Sequence, residues 1–278
     1  MITYPCAKIN LGLNVVARRD DGYHNLETVF FPVGLCDRLE IEEQQKSESS
    51  DTPCRLVTDG ISIAGSPKDN LVVKAYELVR SLHPELPQVN IKLTKNIPSQ
   101  AGLGGGSADC AYTIKMLNNM FNINMSTSDM QQLASYLGAD CPFFINPVPS
   151  FATGIGEQLM PIDVNLSGYY IAIVKPDVMI STREAFAHIT PHQPVICCKD
   201  IVRMPIEDWR ERLVNDFEES IGCKHAEIGH IKQVLYDEGA VYAAMSGSGS
   251  AVFGIFRHHP EHVRRIFNRY FTSIVQIS

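Results

Sequence analysis

A glycine-rich segment from Gly102 to Ser107 has residue types and a spacing that suit the binding of an anion. It reads Gly-Leu-Gly-Gly-Gly-Ser and stands directly before a stretch with helical periodicity. Because glycine has no side chain, several backbone N–H groups can point into one concavity, and the first N–H groups of the following helix add to them. Ser107 can bond a phosphate oxygen or a Mg²⁺ ion. The segment predicts a phosphate site, although a flexible turn with a serine N-cap would use the same residues.

Three better-known motifs are absent. The P-loop needs Gly-Lys before Ser or Thr, and that dipeptide occurs nowhere in the chain. The dinucleotide fingerprint fails because Ser107 occupies the place of its third glycine. Gly-x-Ser-x-Gly is missing as well, which argues against a serine hydrolase of that class.

The segment has a different match. Pro98 to Ser107 reads Pro-x-x-x-Gly-Leu-Gly-x-x-Ser, which resembles the phosphate loop of the GHMP kinases. Further segments are similar to this family and follow its order: Ala7-Lys8-Ile9-Asn10-Leu11, Asp21-Gly22-Tyr23-His24, Leu137-Gly138-Ala139-Asp140-Cys141-Pro142 and Met245-Ser246-Gly247-Ser248-Gly249-Ser250-Ala251-Val252-Phe253. The Asp-Gly-Tyr-His element resembles the members that act on a cytidine-diphosphate-linked methylerythritol, and galactose, homoserine and mevalonate kinases do not share it.

The resemblance implies an ATP-dependent kinase that phosphorylates a hydroxyl of this small molecule, in non-mevalonate isoprenoid precursor synthesis. Phosphoryl transfer needs in-line positioning, charge neutralisation and a proton acceptor. By resemblance Asp140 is the general base, Lys8 lies beside it, and Asn10 orients the same hydroxyl or a phosphate. From the residues alone, an Asx turn for Asp140 and a surface lysine for Lys8 are the simpler interpretations.

The resemblance also implies the groups that bind the substrate. Tyr23 and Phe186 would sandwich the cytosine ring, and His24 would bond its polar edge, although both aromatic rings could instead belong to the core. The residues implied near the substrate phosphates are Thr182, Gly247, Ser248 and Gly249. A plain hairpin turn is the alternative interpretation of the segment around Ser248.

ATP is the implied cosubstrate and brings Mg²⁺ with it, so no resident metal site is predicted. Asn70 and Lys95 match positions on the adenine side of the nucleotide, and a helix cap is an equally good role for Asn70. The residues implied around the ATP phosphates are Pro98, Gly102, Leu103, Gly104, Gly105, Gly106 and Ser107. Four residues in and just after this loop depart from the family pattern: Gln100, Ala101, Ala108 and Cys110.

The elements that must position these residues follow from periodicity. Two or three strands are expected in the first forty residues, a loop from Gln44 to Pro53 and a strand from Val89 to Thr94. Asp69-Asn70 caps a helix whose predicted face is Leu71, Ala75, Leu78 and Leu82. A further helix spans Ala108 to Phe121, and Ser126 with Asp129 forms a capping box for the next one.

The second half of the chain mixes both kinds of element. The strands expected there are Tyr169 to Val174, Val241 to Met245, Ala251 to Phe256 and a terminal one; the helices are Arg183 to His188, Glu207 to Glu219, His225 to Asp237 and Pro260 to Tyr270. This order predicts an α+β class. Pro142, Pro147 and Pro149 interrupt the chain, so two domains with a junction near residue 155 are expected. By resemblance these are an ATP-binding domain over 1–155 and a substrate-side domain over 156–278, with the active site in the cleft between them.

Composition excludes several classes of protein. Twenty-four basic against 31 acidic residues give a net charge of −7, and without a Lys/Arg cluster this disfavours nucleic-acid binding. No apolar run is long enough for a membrane span and the N-terminus does not resemble a signal peptide, so a cytoplasmic protein with no obligate protein partner is expected. The alternatives are another GHMP small-molecule kinase, of homoserine, sugar or mevalonate type, and a non-catalytic nucleotide sensor. The presence of both Lys8 and Asp140 argues against the sensor.

Overall fold

The computed structural model describes residues 1–45, 52–63, 65–222 and 224–278. Within them the strands are β1 (Ile2–Thr3), β2 (Cys6–Arg18), β3 (His24–Cys36), β4 (Arg38–Glu43), β5 (Cys54–Gly60), β6 (Val89–Lys95), β7 (Ser150–Thr153), β8 (Gln158–Pro161), β9 (Tyr170–Lys175), β10 (Tyr242–Met245), β11 (Val252–Phe256) and β12 (Phe271–Gln276). The α-helices are α1 (Leu71–Leu82), α2 (Gly105–Met120), α3 (Thr127–Ser135), α4 (Cys141–Ile145), α5 (Thr182–Phe186), α6 (Cys198–Ile201), α7 (Phe217–Gly222), α8 (Ala226–Asp237) and α9 (Val263–Ile266). Residues 46–51 of the predicted loop from Gln44 to Pro53 lie outside the described residues.

The chain divides into two compact units. Unit 1 contains residues 1–7, 35–99 and 104–147, and unit 2 contains 8–34, 100–103 and 148–278. The glycine-rich segment is therefore divided between them after Leu103. Strands and helices occur without regular alternation, which confirms the α+β class. The boundary at residue 155 and a site between the domains stay predictions.

Unit 1 contains one four-stranded sheet in the order β1-β4-β6-β5. Ile91 of β6 pairs with Ile41 of antiparallel β4 on one side and with Leu56 of parallel β5 on the other. Val89, Ile91 and Leu93 are buried and alternate with more exposed residues, as the period of two predicts. The glycine-rich segment thus follows shortly after β6, a strand whose alternate residues are buried in unit 1.

The helices of unit 1 confirm two predicted caps and correct one predicted face. The Asn70 side chain accepts from a first-turn N–H of α1, and Ser126 and Asp129 form the capping box of α3. Of the predicted face of α1, Ala75 is buried and Leu71 and Leu78 are half-buried, but Leu82 was wrong, since it is 59% exposed. The buried residues are Val72, Val73, Ala75, Tyr76 and Val79. Apolar residues surround much of this helix, so periodicity alone did not select the side that packs against α2.

Unit 2 contains two four-stranded sheets, in the orders β2-β3-β7-β8 and β10-β11-β9-β12. The pairings in the second sheet are antiparallel, with Ala172 of β9 opposite Gly254 and Ile274. Helix α8 packs against β10 and β11 and buries Ile228, Ile231 and Leu235. Burial of each such side chain stabilises the fold by roughly 1.5–3 kcal/mol.

Two predicted helices of this unit were wrong. The range Glu207 to Glu219 contains only the end of a 3₁₀ turn and the start of α7, because Asn215 between them forms a parallel bridge with Leu13. The range Pro260 to Tyr270 contains only the four residues of α9, where Val263 and Phe267 form one buried pair. One i,i+4 pair supports a single helical turn. Within the described ranges, no helix combines the length and apolarity of a membrane span.

Candidate active site

The first half of the glycine-rich segment, residues 100–103, is held by two other parts of unit 2. The N–H of Lys8 donates to the carbonyl of Leu103 at 2.9 Å, and the N–H of Ala251 donates to that of Ala101 at 3.1 Å. Gly102 has a φ of 74°, and a Cβ there would lie 1.9 Å from the carbonyl oxygen of Ser246. Only glycine allows this approach, so the two glycine-rich segments of the sequence meet here.

The second half of the segment begins α2 in unit 1. Its N-cap is Gly104, at a φ of 71°, which supplies no side-chain cap. A Cβ on Gly105 would lie 2.8 Å from the side chain of Ile97, so glycine lets the helix begin close to the end of β6. The first N–H groups of a helix have no intrahelical partner and carry the positive end of its dipole. The start of α2 therefore has the chemistry of a phosphate site.

Lys95 is a buried cation at the end of β6. Its ammonium donates to Asp37 and, at 2.6 Å, to Asp109 in the first turns of α2, and all three side chains are buried. The second Asp37 oxygen accepts the N–H groups of Asn96 and Ile97. Burial raises the pKa of Asp109 to about 7, against the opposing effect of Lys95. This triad ties α2 to β6 and neutralises Lys95, whose place beside the adenine stays a prediction.

Lys8 and Asn10 form a buried polar chain in unit 2. The Lys8 ammonium donates to Asn10 Oδ1 at 2.7 Å and lies 4.8 Å from the centre of the Phe30 ring. Asn10 Nδ2 donates to Thr28 Oγ1 at 2.9 Å, and that hydroxyl donates to the carbonyl of Gly12. Lys8 is only 3% exposed, so the interpretation of it as a surface lysine was wrong. A buried ammonium fixed in this way is suited to stabilising negative charge.

The segment from Ser246 to Ser250 is a tight, mostly buried loop in unit 2. Ser246 Oγ donates to the carbonyl of Gly102 at 2.9 Å, and its own carbonyl accepts from the N–H of Gly249. Gly247 and Gly249 have φ values of 56° and 91°. Among the residues that the structure describes, the N–H groups of Gly247 and Ser248 donate to no other group. Two adjacent backbone donors are therefore available to an anion.

Of the three residues predicted to bind the cytosine, all in unit 2, two lie in contact with each other. The rings of His24 and Phe186 stack, with centroids 4.7 Å apart and planes at 18°. Phe186 also packs edge-on against Phe217, while Tyr23 is 61% exposed. Burial lowers the pKa of His24, so its imidazole is neutral at pH 7 and can both donate and accept. Thr182 begins the short helix α5 and is exposed. Their ligand contacts stay predictions.

Asp140 is half-buried and immediately precedes α4 in unit 1, whereas Lys8 lies in unit 2. The predicted pairing of these two residues stays a prediction. Ser107 lies in the first turn of α2. Hydrogen bonds from Cys110 and then from Ser107 lower the pKa of Cys141.

Two polar residues that hold the loop from Ser246 to Ser250, Asn215 and Glu218, were not predicted from the sequence. Asn215 Nδ2 donates to the carbonyls of Met245 and Gly247 at 2.8 and 2.9 Å, and Glu218 Oε1 accepts the N–H of Met245 at 2.6 Å. Both fall within the range Glu207 to Glu219 that was predicted as helix. The signal that could have found Asn215 is the Asn-Asp dipeptide, which is typical of turns and not of helix interiors.

Comparison with known families gives two matches. Residues 70–146 match the model of the GHMP kinases N terminal domain, and residues 199–273 match that of the GHMP kinases C terminal domain. The first range contains the glycine-rich segment and α2, and the second contains Asn215 and the loop from Ser246 to Ser250.

Individual proteins are similar over nearly the whole chain. A protein of Bacteroides thetaiotaomicron named 4-diphosphocytidyl-2-C-methyl-D-erythritol kinase is 52% identical over 92% of both chains, and one of Parabacteroides distasonis with the same name is 48% identical over 95% of this chain and 94% of its own. A crystal structure of 4-(cytidine 5'-diphospho)-2C-methyl-D-erythritol kinase is 29% identical, covers 100% of both chains and has a TM-score of 0.82. A homoserine kinase from Cytophaga hutchinsonii has the same fold at 16% identity, with a TM-score of 0.67 over 98% of this chain and 94% of its own.

Proposed function

The chain belongs to the GHMP kinase family, and we propose that it uses ATP to phosphorylate the 2-hydroxyl of 4-diphosphocytidyl-2-C-methyl-D-erythritol, a step of non-mevalonate isoprenoid precursor synthesis. The observation that carries the substrate is the 52% identity over 92% of both chains with a relative of that name. The Asp21-Gly22-Tyr23-His24 element supports the same choice. Because ATP is the phosphoryl donor, the reaction is proposed to occur in the cytoplasm.

The reaction moves one phosphoryl group. The oxygen of the substrate hydroxyl forms a bond to the γ-phosphorus of ATP, and the bond from that phosphorus to the β,γ-bridging oxygen breaks to release ADP. Asp140 accepts the proton of the hydroxyl as general base. The ammonium of Lys8 stabilises the negative charge that develops on the attacking oxygen.

The nucleotide is proposed to bind at the glycine-rich segment. Backbone N–H groups between Gly102 and Ser107, with the start of α2, would bind the triphosphate, and the uncapped helix end supports this role. ATP enters as its Mg²⁺ complex, and the Ser107 hydroxyl is the proposed protein contact of that ion. Asn70 and Lys95 would line the adenine side. Since the side chains of Asp37 and Asp109 already engage the Lys95 ammonium, this residue would contribute shape there and not net charge.

The cytidine diphosphate end is proposed to bind in unit 2. Phe186 and Tyr23 would stack on the cytosine, and neutral His24 would bond its edge. The N–H groups of the loop from Ser246 to Ser250, with Thr182, would bind the diphosphate. The available donors of Gly247 and Ser248 support this assignment.

One experiment separates the proposal from the alternatives. The purified chain is incubated with ATP, Mg²⁺ and separate acceptors: the cytidyl compound, homoserine, mevalonate and galactose. ADP release with only the cytidyl compound is the expected result. Release with another acceptor would assign a different GHMP kinase activity, and nucleotide binding with no turnover of any acceptor would favour a sensor.

A further inference from the structure

The segment Asn215-Asp216-Phe217-Glu218 of unit 2 carries three polar side chains that fix other parts of the same unit. Its backbone is tied to β2, where the N–H of Leu13 donates to Val214 and the N–H of Asp216 donates to Leu13, each at 2.9 Å. The Asp216 carboxylate accepts Asn14 Nδ2 at 3.1 Å and the N–H of Val15 at 2.7 Å. These hydrogen bonds anchor the segment to β2, a long and mostly buried strand.

From that anchor, Asn215 and Glu218 hold the residues on which the loop from Ser246 to Ser250 begins. Asn215 is 3% exposed, and each of its side-chain atoms that can bond is used: Nδ2 on the carbonyls of Met245 and Gly247, and Oδ1 on the N–H of Phe217 at 3.0 Å. Glu218 accepts the N–H of Met245 and also the ammonium of Lys232. Met245 is therefore fixed at both its N–H and its carbonyl.

The bond to Gly247 sets the direction of a donor. In a trans peptide the carbonyl of one residue and the N–H of the next lie in one plane and point in opposite directions. With the Gly247 carbonyl turned toward buried Asn215, the N–H of Ser248 points away from it. Ser248 is the half-exposed residue of this otherwise buried loop. An N–H held in this direction needs no reorientation when a ligand arrives.

We propose that Asn215 is a positioning residue that holds the loop so that the N–H groups of Gly247 and Ser248 face the diphosphate of the bound substrate. The inference rests on the proposed function for the class of ligand, a pyrimidine nucleoside diphosphate. The role of Asn215 can be tested apart from that function, because its carboxamide should set the affinity for the phosphates and should not change the affinity for the base.

The test measures the binding of CDP and of cytidine, without ATP, to the wild type, Asn215→Ala and Asn14→Ala by calorimetry. Asn215→Ala should lower the affinity for CDP by roughly tenfold or more, which corresponds to about 1.4 kcal/mol or more, and leave that for cytidine within about twofold. Asn14→Ala is the matched control, since it removes a buried carboxamide that bonds the same segment without touching the loop. A folded Asn215→Ala variant that binds CDP normally, or that loses both ligands equally, would overturn the proposal.

A measurement on the wild type covers the case in which Asn215→Ala does not fold. In ¹⁵N–¹H spectra, CDP should shift the N–H signals of Gly247 and Ser248, whereas cytidine should not, and the Asn215 side-chain signals should stay in place with either ligand. Movement of the Asn215 signals, or CDP binding without a shift at Ser248, would contradict the inference. Failure of the proposed function is distinct: it would appear as absent turnover of the cytidyl compound by the wild type.

Discussion

The α-carbon of Gly102 faces the carbonyl oxygen of Ser246 so closely that a Cβ would lie 1.9 Å from it. This contact joins the two glycine-rich segments that the resemblance assigns to different ligands, ATP and the substrate diphosphate. Ser246 Oγ reinforces it by donating to the carbonyl of Gly102 at 2.9 Å. A methyl group at residue 102 therefore cannot be accommodated without moving a backbone segment.

The first prediction concerns Gly102→Ala. Overpacking and a φ of 74° should together lower the free energy of unfolding by about 2–5 kcal/mol and reduce turnover at least as severely. Gly168→Ala is the control, because Gly168 has a φ of 83° but no atom within 4 Å of a built Cβ. It should cost only about 1–2 kcal/mol and leave turnover unchanged. Equal effects of the two substitutions, in denaturant titrations and assays, would contradict the importance of the contact.

The second prediction concerns the proposed catalytic pair. Asp140→Asn and Lys8→Ala should each lower kcat by about 100-fold or more, since proton acceptance and charge stabilisation act in the transition state. Circular dichroism and thermal unfolding should show that the fold survives. Lys92→Ala, on the exposed side of β6, is the control and should retain its activity. Near wild-type kcat in either purified variant would remove that residue from the mechanism.

The third prediction concerns pH and the buried triad of Asp37, Lys95 and Asp109. Because the pKa of Asp109 is raised to about 7, the folded protein keeps a proton that the unfolded chain releases near pH 4. The stabilisation from this group is therefore complete below about pH 4 and is lost as the pH rises through about 7. Asp109→Asn, which is neutral at every pH, should gain stability relative to the wild type over this range.

Urea titrations between pH 5 and pH 8 check this sign. The difference in unfolding free energy between Asp109→Asn and the wild type should increase with pH. Asp208→Asn, at an exposed carboxylate, should run parallel to the wild type. A parallel profile for Asp109→Asn as well would show that Asp109 does not hold a proton in the folded state.

The fourth prediction concerns Phe186, whose ring stacks on that of His24. Phe186→Leu should raise KM for the cytidyl substrate by about five- to 150-fold, because stacking on a base contributes about 1–3 kcal/mol, and should leave KM for ATP unchanged. Phe186→Tyr keeps an aromatic face and should stay close to the wild type. Steady-state kinetics with each substrate varied in turn check these KM values. If Phe186 only packs in the core, kcat and thermal stability should fall together and KM for the cytidyl substrate should stay unchanged.

Local signals predicted a large part of this fold. The alternation of Val89, Ile91 and Leu93 identified β6, the Ser126–Asp129 pair identified the start of α3, and the glycines before Ser107 marked the start of α2. Each of these features depends on neighbours within a few residues. The resemblance to a family supplied the chemistry, which the local signals left open.

Contacts between distant residues were not predictable in this way. Lys95 meets Asp37 from 58 residues away, and Asn215 meets Met245 from 30 residues away. Contacts between residues so far apart produce no periodic pattern in the sequence. The apolar residues between 207 and 219 suggested a helix, but the chain there is held instead by hydrogen bonds to Leu13. Contacts between polar side chains that are buried by tertiary structure are therefore the part of the structure that the sequence did not predict.

The most direct test of the central claim is the identity of the product. The wild type is incubated with ATP, Mg²⁺ and 4-diphosphocytidyl-2-C-methyl-D-erythritol, ADP is quantified, and the product is examined by ³¹P NMR. The predicted result is one new phosphomonoester, bonded to the 2-oxygen of the methylerythritol and equal in amount to the ADP. No new phosphorus signal, or one on another hydroxyl, would contradict the account.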